Sequence, residues 1–380
     1  MSEKARSFYV PQLDALRFLA FLMVFATHAL PHGAESYGPL GPLPALIVRS
    51  GAFGVDLFFV LSSYLITTLL LREIAQTGRL HIKAFYMRRV LRIWPLFFGF
   101  ILLASILTPA LSLEETNWAF IAGLLAFAGN LVLAITATGP HVLGPLWSLC
   151  LEEQFYLVWP PLVKRITVMG LRKIALGMLL VAIACRVIFA ELQLPDISLW
   201  TFTLTRMDGI AAGILLATAP PLRINAWLGV LLGLAGIVAA EGMNMAFGAL
   251  NGAVLGYTLA AGAGALVVGS AMRLPTPPGF LIYLGRISFG LYVFHALFIR
   301  IGLIYLPSDI LAVQLGRVIL AFAATIAAAA ISYEFYEKPF LKWKRAFEVV
   351  PSRPDGGAEA AEVIEDRGDN GERAKPAPVN

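Results

Sequence analysis

Residues Leu13–Leu30 read LDALRFLAFLMVFATHAL, an apolar run of membrane-helix length that nonetheless carries Asp14, Arg17 and His28. A hydrocarbon core of ~30 Å needs about 20 apolar residues in helical form. Ionisable groups inside it are costly unless they are paired, turned toward protein or used. Arg17 and His28 are eleven residues apart, which is three helical turns plus about 20° and a rise near 16 Å, so the two share one face. Asp14 precedes Arg17 by three residues and can pair with it. His28 falls near the far end of the same helix, with His32 one turn further on. An arginine reaching to one interface and a histidine at the other would also produce this pattern.

The rest of the chain repeats the theme. Of 380 residues, 58% are hydrophobic and 14% charged, against roughly 25% charged in ordinary soluble domains. The chain is therefore expected to be an all-α, polytopic membrane helical bundle. Its net charge of +5 is a matter of topology, and no nucleic-acid partner is expected. Cys150 and Cys185 both lie in apolar segments, so neither a disulfide framework nor a metal-binding spacing is written here, and no metal or resident cofactor is expected. Asp14 and Arg17 spoil the apolar region of a cleavable leader, so the first helix should remain. Residues 1–345 form the expected transmembrane domain, and the Pro-, Gly- and charge-rich residues 346–380 a disordered cytoplasmic tail.

Basic clusters at Lys4/Arg6, Arg72–Arg92, Lys164–Lys173, Arg223, Arg273 and Lys338–Arg345 mark cytoplasmic segments, and an even number of crossings should separate them. Ten spans satisfy that count: about 13–31, 51–71, 93–109, 147–163, 174–192, 199–218, 226–240, 252–271, 281–305 and 313–336. Both termini are then cytoplasmic, in a plasma or inner membrane. The apolar segment 118–135, with Gly123 and Gly129, is left over. It is expected to be re-entrant, which is tolerated only where protein or water satisfies the backbone. Eleven crossings with a reversed second half is the alternative.

Further polar groups mark a bundle interior. "FYMRRVLRIWP" (85–95) gathers Arg88, Arg89 and Arg92. Arg89 and Arg92, one turn apart, suit forked recognition of phosphate. "GPLWSLCLEEQFYLVWP" (144–160) places Glu152 and Glu153 inside a span, where an unpartnered carboxylate is expensive. Arg206 and Asp208 in "RMDGIAAG", and His295 in "GRISFGLYVFHALF", sit mid-span, while Glu334 and Glu337 end the last span. Arginines toward the cytoplasm, with a histidine and a carboxylate toward the outside, fit chemistry on an outer substrate with a phosphate-bearing donor from within. They also fit transport of an anionic solute.

In family order, Arg17-x10-His28, "GVDLFFVLSSYLI", Arg89-x-x-Arg92, "WSLCLEEQFYL", "GRISFGLYVFH" and "YEFYEKPF" resemble the integral-membrane acyltransferase 3 family over about residues 9–345. That family commonly has Ser-Gly-Tyr where this chain has Ser62, Ser63 and Tyr64. Many of its members carry an extracytoplasmic hydrolase-like domain after the bundle, which this chain is expected to lack. The resemblance implies transfer of an acyl group, usually acetyl from acetyl-CoA, to a hydroxyl of a carbohydrate or lipid-linked glycan at the outer face. A small hydroxylated natural product such as a macrolide is the alternative acceptor. On this reading Arg89 and Arg92, with Arg17, hold the phosphates of the acyl-CoA donor. His28 acts as general base or acylated relay, and Glu152 orients that imidazole or the acceptor.

Overall fold

The computed structural model describes residues 9–33, 41–308 and 310–349, so Lys4, Arg6 and the expected tail from residue 350 onward lie outside the described residues. Those described are mostly helical, with no strand among them. In chain order the helices are α1 Pro11–Ala29, α2 Pro42–Ser50, α3 Gly54–Thr77, α4 Ile82–Ala110, α5 Trp118–Leu125, α6 Gly129–Thr136, α7 Trp147–Arg165 and α8 Val168–Glu191. They continue as α9 Asp196–Thr201, α10 Asp208–Thr218, α11 Ala226–Phe247, α12 Ala249–Ala271, α13 Gly279–Arg286, α14 Ser288–Tyr305, α15 Leu311–Ile331 and α16 Lys338–Arg345.

Seven helical runs among the described residues are long and apolar enough to cross a membrane: Pro42–Thr77, Ile82–Ala110, Val168–Glu191, Ala226–Phe247, Leu250–Ala271, Ser288–Tyr305 and Ala312–Arg345. The chain is a polytopic all-α bundle. Three further expected spans take a different form. The runs α1 and α7 carry Asp14 with Arg17, and Glu152 with Glu153. The expected span 199–218 is not one helix: α9 ends at Thr201, a 3₁₀ turn covers Leu204–Arg206, and α10 starts at Asp208. The break lays the Arg206 guanidinium between two aromatic faces, 4.0 Å from the ring centre of Trp200 and 4.4 Å from that of Tyr257. Cation–π contact thus helps to hold a charge that an unbroken apolar helix would leave in hydrocarbon.

Residues 118–135 fold back on themselves. A Cβ built on Gly123 would fall 2.6 Å from Val132 Cγ2, whereas nine residues of straight helix would separate the two by about 13 Å. Glycine at positions 123 and 129 permits that closeness. The turn leaves Phe127 at φ 52°. Its carbonyl accepts from Gln154 Nε2 at 2.8 Å, and Gln154 also bonds Asn130 at 2.9 Å and Thr203 at 2.7 Å. Protein groups therefore satisfy the irregular backbone, as a hairpin at membrane depth requires.

Helix α3 runs antiparallel to α1. Gly54 lies so close to Ala20 that a Cβ would come within 2.5 Å of its carbonyl oxygen, while Leu57, Val60 and Leu61 pack with Leu13 and Leu16 further along. Ser63, in place of the commoner glycine, bonds Phe59 O at 2.8 Å and faces Gly213 of α10, where a Cβ would collide with its hydroxyl. Glycine at 213 thus makes room for the Ser63 hydroxyl. By contrast α13 and α14 run with α1, for Gly285 abuts Asp14 and His295 meets His28. Positions on α14 and α1 therefore rise together, and this sets the order of groups along the site.

Candidate functional site

Four helices and the start of α14 line a partly open cavity. Arg17 enters it from α1, Phe58 and Ser62 from α3, Arg89 and Arg92 from α4, Ser148, Glu152 and Tyr156 from α7, and Ser288 and Tyr292 from α14. Three guanidinium groups thus face one carboxylate. Glu152 is held by Ser62, whose hydroxyl donates to Oε1 at 3.1 Å, and by Tyr156, whose hydroxyl donates to Oε2 at 2.6 Å. Arg17 donates to Asp14 at 2.7 Å, as the spacing requires, and Tyr9 donates to the other Asp14 oxygen at 3.0 Å. The Arg89 guanidinium lies 5.3 Å from the Tyr156 ring centre and 5.6 Å from that of Phe85. Aromatic walls, hydroxyls and an excess of forked cations suit an elongated ligand with both anionic and apolar parts.

Tyr292 lines the cavity on its α14 side. The Tyr292 hydroxyl donates to Pro145 O at 2.8 Å and lies 2.6 Å from Ser148 Oγ. One helical turn further, His295 is fully buried, with its ring centre 5.5 Å from that of Tyr292 and 5.1 Å from that of His28. His28 Nδ1 lies 2.9 Å from Val24 O and 3.4 Å from His295 Nε2. His28 is an exposed residue whose Nδ1 side is turned into the protein. Tyr292, which lines the arginine cavity, thus touches the first of two histidines in contact at the opposite end of α1.

The sequence groups Arg17, Arg89 and Arg92 as donor-binding residues and sets Glu152 toward the outside with His28; in the structure all three arginines and Glu152 line one cavity. Glu152, expected to orient the His28 imidazole or the acceptor, lies in the cavity with the arginines, and the ring against His28 is that of His295. Arg88 points elsewhere, to Glu73 at 3.3 Å and to Phe347 O at 2.6 Å. Glu153 accepts from Trp94 Nε1 at 3.1 Å, beside the cavity. Arg206 and Asp208 do not line this cavity. Arg206 pairs with Asp56 at 2.7 Å, and Asp208 pairs with Arg186, which also bonds Thr258 at 2.7 Å. Glu337 is buried and accepts from Ser332 at 3.2 Å within a π-helical turn.

Tyr156, Ser148 and Tyr292 went unremarked in the sequence, and Ser62 stood out only as part of a family motif, because hydroxyls and tyrosines are ordinary in apolar helices. Asp56 and Arg186 carried a readable signal, each being a lone charge in an apolar stretch.

A profile described as an acyltransferase domain matches residues 10–337. Among curated proteins the chain is similar to peptidoglycan O-acetyltransferase OatA of Listeria monocytogenes, 28% identical over 88% of this chain and 56% of that protein. It is also similar to YrhL of Bacillus subtilis, described as a candidate peptidoglycan O-acetyltransferase, 33% identical over 40% of this chain and 23% of that one. A candidate O-acetyltransferase of Staphylococcus aureus strain COL is 23% identical over 88% of this chain and 58% of its own length. The chain thus spans little more than half of the relatives that it matches along most of its length. No solved structure matches it significantly.

Proposed function

The chain belongs to the acyltransferase 3 family, whose domain covers residues 10–337, and from that premise we propose that it is a membrane O-acyltransferase. It moves an acyl group, most simply acetyl, from acyl-CoA to a hydroxyl of a carbohydrate or lipid-linked glycan at the outer face of the inner membrane. The observation that carries this reading is the division of polar groups along α1. Arg17, Arg89 and Arg92 share a cavity at one end, and an exposed histidine stands at the other. Eleven residues at 1.5 Å each put these about 16 Å apart.

In this reading the arginines hold the donor's phosphates by charge-assisted, forked hydrogen bonds. The arm of the donor runs along the aromatic walls toward Tyr292, and its thioester reaches the histidine end. His28 takes the proton from the acceptor hydroxyl as its oxygen attacks the thioester carbonyl. Collapse of the tetrahedral intermediate expels the CoA thiolate, which recovers the proton from His28. Glu152, held by Ser62 and Tyr156, lies among the arginines and offsets their mutual repulsion. Acceptors of the peptidoglycan kind fit the printed names of the relatives.

Orientation follows from the basic clusters, which put the arginine cavity toward the cytoplasm. The test is transfer by purified protein, without any gradient, from acetyl-CoA to a glycan, read as an acetyl mass increment. A protein that binds acetyl-CoA but transfers nothing to any hydroxyl acceptor would leave only transport.

A further inference from the structure

We infer that His295 is a positioning residue for His28, fixing its imidazole so that Nε2 alone presents a lone pair to the acceptor. The inference rests on the reading of His28 as the base. It starts from hydrogen-bond valence. His295 Nδ1 lies 2.6 Å from Tyr292 O, and a carbonyl oxygen only accepts, so this nitrogen carries the proton and His295 Nε2 carries the lone pair. His28 Nδ1 lies 2.9 Å from Val24 O and must carry a proton for the same reason. That N–H also faces His295 Nε2 at 3.4 Å. The three atoms make a three-centre contact satisfied by one hydrogen.

What remains is His28 Nε2, unprotonated in the neutral ring, on an exposed side chain and without a hydrogen-bond partner among the described residues. Val24 O also accepts the helical bond from the His28 main-chain N–H, so it is a shared and partly satisfied acceptor. The buried lone pair of His295 is the second acceptor. It fixes the plane of the His28 ring, and it stabilises the more acidic Nδ1–H that appears when His28 takes a proton, as the third group does in nucleophile–base–orienter arrangements. His295 cannot be the base itself. It is fully buried and hemmed in by Phe21, at 6.2 Å between ring centres, and by Tyr292.

The experiment is a double-mutant cycle on the full chain, with acetyl transfer from acetyl-CoA to glycan as readout. His295→Leu is expected to lower kcat about 100-fold while the donor KM stays within about twofold. His295→Gln keeps an acceptor of similar reach and is expected to stay within about tenfold of wild type. Adding His295→Leu to His28→Ala is expected to cost nothing more, because the partner it positions is already gone. Undiminished kcat in His295→Leu overturns the inference, as does a second, multiplicative loss in the double variant, which would mark a merely structural role. If His295→Leu does not fold, the cycle is run with His295→Asn, whose shorter amide withdraws the acceptor. Undiminished transfer by His28→Ala would instead sink the base assignment on which the inference rests.

Discussion

His28 and His295 are separated by 267 residues in the chain, yet their facing nitrogens lie 3.4 Å apart. One of the two residues is exposed and the other fully buried. The contact is made because α14 rises alongside α1 from the Gly285–Asp14 crossing, so that the histidines arrive at one level. It caps a line of groups that begins at the arginine cavity.

Reagents should tell the two rings apart. Diethyl pyrocarbonate acylates unprotonated imidazole nitrogens that solvent can reach. His28 is expected to be modified in the folded protein and His295 spared until denaturation, as read by peptide mass. Equal modification of both would mean that the pair is more open than its burial states.

Replacing an arginine by lysine keeps the charge and discards the planar fork. Arg92→Lys and Arg89→Lys are each expected to raise the apparent KM for acetyl-CoA roughly tenfold, about 1.4 kcal/mol. Arg88→Lys, in a residue engaged with Glu73 and Phe347, should leave that KM where it was. Donor kinetics on the three variants check this; wild-type values in the first two would reduce those arginines to topology markers.

The buried pair of Arg206 and Asp56 calls for a different signature. Asp56→Ala leaves a guanidinium without its counter-charge among Trp200 and Tyr257, and is expected to cost about 3–5 kcal/mol. The loss should appear as a lowered thermal midpoint, with donor KM unchanged in the protein that remains folded. A donor-binding defect without destabilisation would move this pair into the site.

Sidedness can be read directly. A reporter fused after Lys164 or after Arg345 is expected to report cytoplasm, and one inserted within residues 110–117 periplasm. A periplasmic signal at Lys164 would reverse the orientation of everything that follows α5 and α6.

Much of this was legible in the sequence, for reasons that differ by residue. Arg17 and His28 could be placed on one face because helix geometry alone fixes the angle between them. Arg89, Arg92 and Glu152 stood out because hydrocarbon makes charges conspicuous. The re-entrant segment was legible because an odd crossing would have turned basic residues outward. The partners were not legible. Nothing in the spacing of Glu152 says that it lies with arginines rather than with His28, since that depends on how α7 sits against α3 and α4. Nor does "RMDG" declare that its two charges close separate ion pairs with Asp56 and Arg186. Such pairings are long-range, and a helix period is silent about them.

The central claim is that donor binding and proton transfer occupy opposite ends of α1. The most direct measurement sets donor affinity and transfer rate side by side in His28→Ala and His32→Ala. The account predicts that His28→Ala loses transfer by 10²-fold or more, an order-of-magnitude estimate for a general base, while acetyl-CoA affinity stays within about twofold, less than 0.5 kcal/mol. His32, exposed and bonded to Thr27 O at 2.7 Å, lies outside the line of groups, so His32→Ala should be mild on both counts. Substantial transfer by His28→Ala, or a lethal His32→Ala, would contradict it.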